Sequence, residues 1–386
     1  MELSVGIGLL GCGTVGSSVA ERLVRERDAI ERRSGVRFHL RGIAIRDEDK
    51  LRPAGVETRL FTRDARALVE DPHVDLVIEC IGGTADAADF VERALDRGRH
   101  VISANKDLIA TQGPRLHALA ALRGVALRYE AAACGAIPIV RTLADALAGD
   151  EVRSLCGVVN GTCTYILCAM EEGASYDEAL AAAQAAGYAE ADPANDVDGV
   201  DAAHKLALLV QLAFGLAVIS PRIRRTGIAG IVKRDIARAK MLGYRLRLVA
   251  AAVRVADGVH AEVAPVLVRE DHAFANLRGP ENIVRIVSRD AGELVLRGAG
   301  AGGPATASAI LGDLVGTLRA VGERHDLLHR TSARDFAPAI DVAPLFERLP
   351  RHSELPRYAR WDESLLEAPA SQASLAFAWP GEDALP

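Results

Sequence analysis

Five carboxylates and one lysine crowd residues 187–205, GYAEADPANDVDGVDAAHK: Glu190, Asp192, Asp196, Asp198, Asp201 and Lys205. A lysine among carboxylates can be held in place and have its proton affinity tuned, which suits it to proton transfer. Asp198, Asp201 and Lys205 follow a three-then-four spacing that puts them on one side of a helix. The plain alternative is a solvated Asp–Lys pair at a helix start, worth little by itself. Gly187, Pro193 and Gly199 exclude a buried helix through the first half of the stretch. From about residue 200 to 214 apolar residues recur at helical spacing, so Lys205 is expected near the start of a helix with one buried face.

A second chemical feature opens the chain. Ser4–Leu10 reads as a buried strand, Gly11, Gly13 and Gly16 form GxGxxG, and a helical pattern runs on to about residue 27. Strand, glycine turn and helix in that order form a dinucleotide cradle, with pyrophosphate against the free N–H groups of the helix start. A glycine-rich turn in some other α/β protein is the alternative. A second strand, residues 36–45, ends in Arg46-Asp47, with Lys50 close by. An acidic residue at such a strand end binds the ribose of NAD, whereas an arginine accommodates the extra phosphate of NADP. The order favours NADP and leaves NAD open.

Further strands are expected at residues 75–81, closing on Gly82-Gly83, within HVISANKDL at 100–108 and at 125–129, with a helix at 84–97. Strands alternating with helices of this length indicate a parallel sheet. Lys106 falls just past the carboxyl end of its strand, where open α/β sheets bind ligands. Residues 130–138, EAAACGAIP, are small and expose backbone carbonyls beside Glu130. Such a set can hold a cation through oxygen, by analogy with hard divalent ions, or it can be a tight crossover between domains.

The second half reads as a strand at 151–159, a turn Asn160-Gly161-Thr162 that can cap a helix at 165–172 and bind a polar ligand, and a helix at 233–242. An antiparallel strand follows that helix, with others near 263–268, 283–287 and 293–296. The glycine turn 298–303 precedes a helix at 307–320. The fold class is α/β: an N-terminal Rossmann-type doubly wound domain over 1–135, with 305–322 returning to it, and an α+β domain with a mixed sheet over 136–304. From 323 to 386 the pattern degrades into a peripheral tail interrupted by prolines.

The bulk numbers exclude several classes. Net charge is −6 and aromatics are 4% of the 386 residues, so neither a nucleic-acid nor an anionic-membrane surface is expected. The six cysteines form no CxxC pair and read as reduced thiols of a cytoplasmic protein. No signal peptide and no membrane span is expected.

With these segments in hand, the chain resembles the homoserine dehydrogenase family. GLLGCGTVG, VIECIGG, VISANKDLIA, YEAAACGAIPIVR, GVVNGTCTYIL, GYAEADPANDVDGVDAAHKLALL and GAGAGGPATASA match that family's motifs in order over about residues 1–320. The resemblance implies a homodimer that reversibly oxidises L-homoserine to L-aspartate 4-semialdehyde with NAD or NADP, in the biosynthesis of threonine, methionine and isoleucine. It implies that Lys205 and Lys106 are catalytic, that Glu190 and Asp201 contact or orient substrate, and that Gly161 and Thr162 line its site. It implies nucleotide contacts at Thr14, Val15, Arg46, Ser103 and Gly302, beside the glycines Gly11, Gly13, Gly16 and Gly82. Glu130, Ala133, Gly135 and Ile137 match a segment that holds sodium or potassium. Glu190 or an aspartate such as Asp196 can meet the substrate ammonium. Cys163 stands where the family has Thr or Ser, and Cys134 interrupts the cation segment. The regulatory ACT domain of many bacterial relatives is not recognisable in 323–386. Competing readings are a Rossmann reductase of another small aldehyde or imine, which would not require the acidic cluster, and a non-catalytic dinucleotide sensor, which would not require both lysines.

Overall fold

The computed structural model describes residues 4–47, 55–216, 218, 220–256, 258–322, 345–346 and 350–362. The first unit begins with β1 (Ser4–Leu10), α1 (Thr14–Arg25), α2 (Arg27–Ser34), β2 (Arg37–Ala44), β3 (Phe61–Thr62) and α3 (Ala65–Glu70). It continues through β4 (Leu76–Glu79), α4 (Ala85–Asp96), β5 (His100–Ser103), α5 (Lys106–Arg123) and β6 (Leu127–Arg128). All six strands pair in parallel in the order β3-β2-β1-β4-β5-β6. This is the doubly wound order, and its switch point lies between β1 and β4, where a crevice opens at the strands' carboxyl ends.

Strand periodicity divides the apolar residues between the two faces of this sheet. Ile7, Leu9, Leu76, Ile78 and Ile102 pack with Val19 and Leu23 of α1. Val77 and Val101 face the other way, onto Val91 and Leu95 of α4 and Leu108 and Leu116 of α5. Gly11 holds a left-handed φ of 94°, and a Cβ at Gly16 would fall 2.1 Å from the Gly11 carbonyl oxygen. Those two positions let the chain turn off β1 and α1 lie close on it.

After β6 the chain passes through the turn 129–138, a short helix α6 (Ile139–Arg141) and a wide, under-wound π-type turn at Thr142–Ala146. The second unit holds β7 (Val152–Val158), α7 (Gly161–Glu171), α8 (Tyr176–Ala185), α9 (Ala194–Val197), α10 (Val200–Phe214), β8 (Arg224–Arg225) and α11 (Lys233–Met241). The hairpins β9 (Tyr244–Val255)–β10 (Gly258–Arg269) and β11 (Glu281–Ser288)–β12 (Glu293–Ala299) complete it. The strand order is β12-β11-β7-β9-β10-β8, antiparallel except for the parallel β10–β8 pair, so the sheet is mixed. Along β9, Leu248, Ala250 and Ala252 face the helices, while Val249, Ala251 and Val253 face a second apolar layer.

The helix α12 (Gly303–Gly322) then returns to the first sheet. Its Ala307, Ile310, Leu314 and Leu318 are fully buried among Val19, Leu23 and the strand residues. Each buried Ile or Leu contributes about 1.5–3 kcal/mol, so the return is firmly held.

The expected elements are present, with shifted ends. The strand expected at 125–129 shrinks to two paired residues, and the helix expected at 165 begins at Gly161. The strand expected at 263–268 extends over twelve residues as β10. The tail is not wholly peripheral. Leu345 and Phe346 are buried on the second sheet, and β13 (Arg351–His352) and β14 (Leu355–Ala359) form a small hairpin beside β10. The Phe346 N–H donates to Glu262, the Trp361 N–H to the Leu267 carbonyl, and the Tyr358 hydroxyl to Asp235. The apolar sheet face is the reason: Val249, Val266 and Val268 would otherwise meet water. Lys50 and the last stretch, 363–386, lie outside the described residues.

Candidate active site

Two strand–helix junctions, one from each unit, supply the polar core of the site. At the first, Asn105 caps α5: its side-chain oxygen accepts the Leu108 N–H at 3.0 Å and its amide donates to the Gly83 carbonyl at 2.6 Å. Lys106 is thereby the first residue of α5. Behind this turn the carboxylate of Glu79 is fully buried, taking the Ser103 hydroxyl at 2.5 Å and the Ile81 N–H at 2.8 Å. Burial pushes the Glu79 carboxyl up, against the hydrogen bonds of Ser103, Ile81 and Asn105.

At the second junction Asn160 caps α7 by accepting the Cys163 N–H at 2.8 Å. Its amide donates to Asp196 at 2.7 Å and to Asp201 at 2.9 Å, joining both carboxylates. The Thr162 hydroxyl donates to the Tyr188 carbonyl at 2.7 Å, tying the 187–190 segment down beside the junction.

Asp201 and Lys205 face this point from the first turns of α10. The Lys205 ammonium lies 2.8 Å from Asp201 Oδ2 and donates to the Val159 carbonyl at 2.7 Å. Lys106 reaches Asp201 Oδ1 from the other unit at 3.1 Å. One carboxylate, 7% exposed at its side chain, thus anchors two lysines. Burial opposes the Asp201 charge most, but Lys205 and Lys106 outweigh it and hold the carboxyl well below its usual range. For Lys106 burial opposes the charge first, and Asp201, Asp107 and Asp196 outweigh that too, so its proton affinity rises. Asp196 is pushed up by burial, countered by Asn160 and reinforced by the Asp201 charge.

Asp198 does not join this group. Gly199, at φ 75°, separates it from α10, and it is exposed on a different cavity lined by Arg224. The i,i+4 pair Asp201–Lys205 is inside; the three-residue extension to Asp198 is not.

These residues line a cavity of about 640 Å³. Val15, Gly82, Gly161, Thr162, Glu190, Asp196 and Gly302 join Lys106, Asp201 and Lys205 on its wall, Glu190 from an exposed position. The cavity runs up to the glycine turn at the switch point. There the first turn of α1 carries no side-chain cap, and a Cβ at Gly13 would meet nothing within 4 Å. An open helix start of this kind fits a dinucleotide pyrophosphate. Thr14 is exposed as the first residue of α1, beside Gly11, Gly13 and Gly16. Arg46 is exposed two residues beyond the end of β2 and does not line the cavity. Ser103 is fully buried, with its hydroxyl on Glu79 instead of the cavity.

At residues 129–138 the mixed cation shell needs correcting. The Glu130 carboxylate is fully buried and takes the Val140 N–H at 2.7 Å, the Arg141 N–H at 3.0 Å and the Arg141 guanidinium at 3.1 Å. It caps α6 and pairs with Arg141 in place of joining the carbonyls. Ala133 and Gly135 line the cavity, and Ile137 lies behind them, buried.

Beneath this turn Asp313 of α12 accepts the Glu130 N–H at 2.9 Å. Burial pushes its carboxyl up to about 7, and the Glu130 charge adds to the rise against the N–H bond, Arg141 and Arg128. Between its ordinary range and about 7 the unfolded chain releases this proton and the fold keeps it, so stability falls as pH rises through that window. Asp313→Asn removes the dependence while keeping an acceptor. Its gain in unfolding midpoint over the parent is expected to be larger at pH 8 than at pH 4, by thermal melts. Equal shifts at both would mean that Asp313 titrates normally.

Some residues of the site had little sequence signal. Asn105 and Asn160 share one, an asparagine between strand and helix. Asn282 had none: the β11–β12 register pairs it with Gly298 and brings it under Gly300, where a Cβ would strike its side chain at 2.2 Å. From there its amide donates at 3.1 Å to the same Val159 carbonyl that Lys205 uses.

The family model "Homoserine dehydrogenase, NAD binding domain" matches residues 11–130, and "Homoserine dehydrogenase" matches 138–315. The chain is 38% identical over 336 residues to the homoserine dehydrogenase of Neisseria gonorrhoeae, spanning 87% of this chain and 77% of that one. It is 41% identical to that of Corynebacterium glutamicum, over 82% of this chain and 72% of the relative. The crystal structure of a homoserine dehydrogenase from Thiobacillus denitrificans superposes with a TM-score of 0.82 at 37% identity, over 89% of this chain and 79% of that one. A hyperthermophilic archaeal homoserine dehydrogenase in complex with NADPH gives 0.70 at 26% identity, over 82% and 98%. With both family models matched in order and relatives near 40% identity over most of its length, the chain belongs to the homoserine dehydrogenase family.

Proposed function

We propose that the cavity carries out the family's reaction, the reversible NAD(P)-linked interconversion of L-homoserine and L-aspartate 4-semialdehyde, with Lys205 as its proton-handling group and Lys106 as the charge that steadies the reacting oxygen. The observation that carries this reading is the convergence of both lysines on buried Asp201, at the mouth of the glycine cradle. The bound nicotinamide supplies or accepts the hydride. An ammonium has three protons, and Lys205 places two of them on Val159 and Asp201, leaving one for the substrate oxygen. Lys106, held charged by Asp201, steadies negative charge developing on that oxygen. Glu190 and Asp196 meet the substrate ammonium, and Gly161 and Thr162 shape the wall beside it. NADPH consumption with L-aspartate 4-semialdehyde, set against other small aldehydes, tests the reading; no preference for the semialdehyde would overturn it.

NADP is the preferred cofactor in this reading, through Arg46. Arg46→Ala is expected to weaken NADPH far more than NADH, by roughly 1.5–3 kcal/mol for a lost charge-assisted hydrogen bond. Equal losses for both cofactors in titrations would assign Arg46 a structural role. Thr14, Val15, Gly82 and Gly302 complete the nucleotide site, and Ser103 acts on it through Glu79. A sodium or potassium ion would be held by the carbonyls of Glu130, Ala133, Gly135 and Ile137, steadying the turn between the units. The six free cysteines fit a cytoplasmic location, and among the described residues no helix is long and apolar enough to cross a membrane. The expected assembly is a homodimer, which light scattering checks.

A further inference from the structure

The residues next to the two lysines in sequence also meet. Asp107 follows Lys106 in the first turn of α5, and His204 precedes Lys205 on α10. Asp107 Oδ1 lies 2.6 Å from His204 Nδ1. The two helices therefore share two polar links of opposite order: Lys106 to Asp201, and Asp107 to His204. Asp201 and His204 are three apart and lie on one side of α10.

The links differ mechanically. The Lys106–Asp201 link runs through a long side chain with four rotatable bonds, and by itself leaves the start of α5 free to pivot. Aspartate and histidine are short, with two rotatable bonds each, so their hydrogen bond holds backbone to backbone with little slack. The Asp107 carboxyl is kept below its usual range, first by the His204 hydrogen bond and then by Lys106, so it stays an anionic acceptor. An anion in the first turn of a helix also suits the helix dipole.

We propose that the Asp107–His204 hydrogen bond is a positioning latch between the two units, which sets the separation of Lys106 and Lys205. Neither residue handles the transferred proton; each acts through the lysine beside it. The proposal rests on the lysine roles given above.

A double-mutant cycle on the full-length enzyme tests it, with Asp107→Ala, His204→Ala and the pair, reading kcat, KM for L-aspartate 4-semialdehyde, KM for NADPH and the unfolding midpoint. Each single change is expected to lower kcat about tenfold, less than the hundredfold that a misplacement of about an ångström can cost. The double variant is expected to be no slower than the slower single, with KM for NADPH unchanged. His204→Asn, which keeps an N–H donor near the Nδ1 position, is expected to recover most of the loss. Parent-like kcat in His204→Ala, or losses that multiply in the double variant, would overturn the latch. An asparagine variant as slow as the alanine one, with a lowered midpoint, would reduce the contact to a structural one and also overturn it. Lys205→Ala run alongside separates the two claims: near-normal turnover there would fell the lysine assignment itself.

Discussion

Lys205→Ala is expected to lower kcat by about two to four decades, the range that positioned acid–base groups contribute. The ammonium sits with 11% of its side chain exposed, between the Val159 carbonyl and Asp201, on the wall of the cavity. Alanine removes the proton donor and leaves Asp201 paired with Lys106 and hydrogen-bonded to Asn160. The fold should survive, because Leu206, Leu209 and Val210 keep α10 anchored in the core. NADPH binding, read by fluorescence titration, should stay near that of the parent. Lys205→Arg keeps the charge but not the function, since a guanidinium does not release its proton at working pH. Its kcat is expected to remain near that of the alanine variant. Turnover close to the parent's in a folded Lys205→Ala protein would remove Lys205 from the mechanism.

Asp201→Asn is expected to damage stability and turnover together. The carboxylate, 7% exposed at its side chain, compensates two lysines, and removing one member of a buried ion pair costs about 3 kcal/mol or more. Freed of their shared anchor, the ammonium groups repel and shift, and a displacement of about an ångström can cost a hundredfold in rate. The pH dependence has a definite sign. The Asp201 carboxyl titrates below its ordinary value of 3.8 in the fold, so its stabilisation is complete above the unfolded value and is lost as pH falls through the folded one. The stability gap between parent and Asp201→Asn, measured by urea melts, should be constant above pH 5 and narrow in acid. A gap that widens in acid, or none at neutral pH, would show that Asp201 is not the anchor of the pair.

Much of this site was legible in one dimension. Glycine spacing after an apolar strand marks the cradle because only a few backbone conformations make that turn, and side-chain bulk forbids them. Asn160 was read as a cap from its place between strand and helix; Asn105, in the same place before α5, was not. Asp198 shows the limit: its spacing to Asp201 and Lys205 is helical, yet Gly199 breaks the helix before it, so the carboxylate is carried to another face. The Glu130 side chain shows another. Its neighbours in sequence offer carbonyls, but its partners are the N–H groups of Val140 and Arg141, about ten residues on.

The sequence by itself determined the chemistry of the parts: a dinucleotide cradle, one lysine at a strand–helix junction and another near a helix start, an acidic stretch beside a buried helix. Those depend on backbone geometry and periodicity over a few residues. Only the tertiary structure decided which groups meet. Lys106 and Lys205 share Asp201 because α5 and α10 dock across the two units, and Asn282 shares the Val159 carbonyl because β11 pairs with β7 in one register. Such pairings join residues about a hundred positions apart, and what selects them is the burial of two sheets and their helices against each other, which no local pattern encodes.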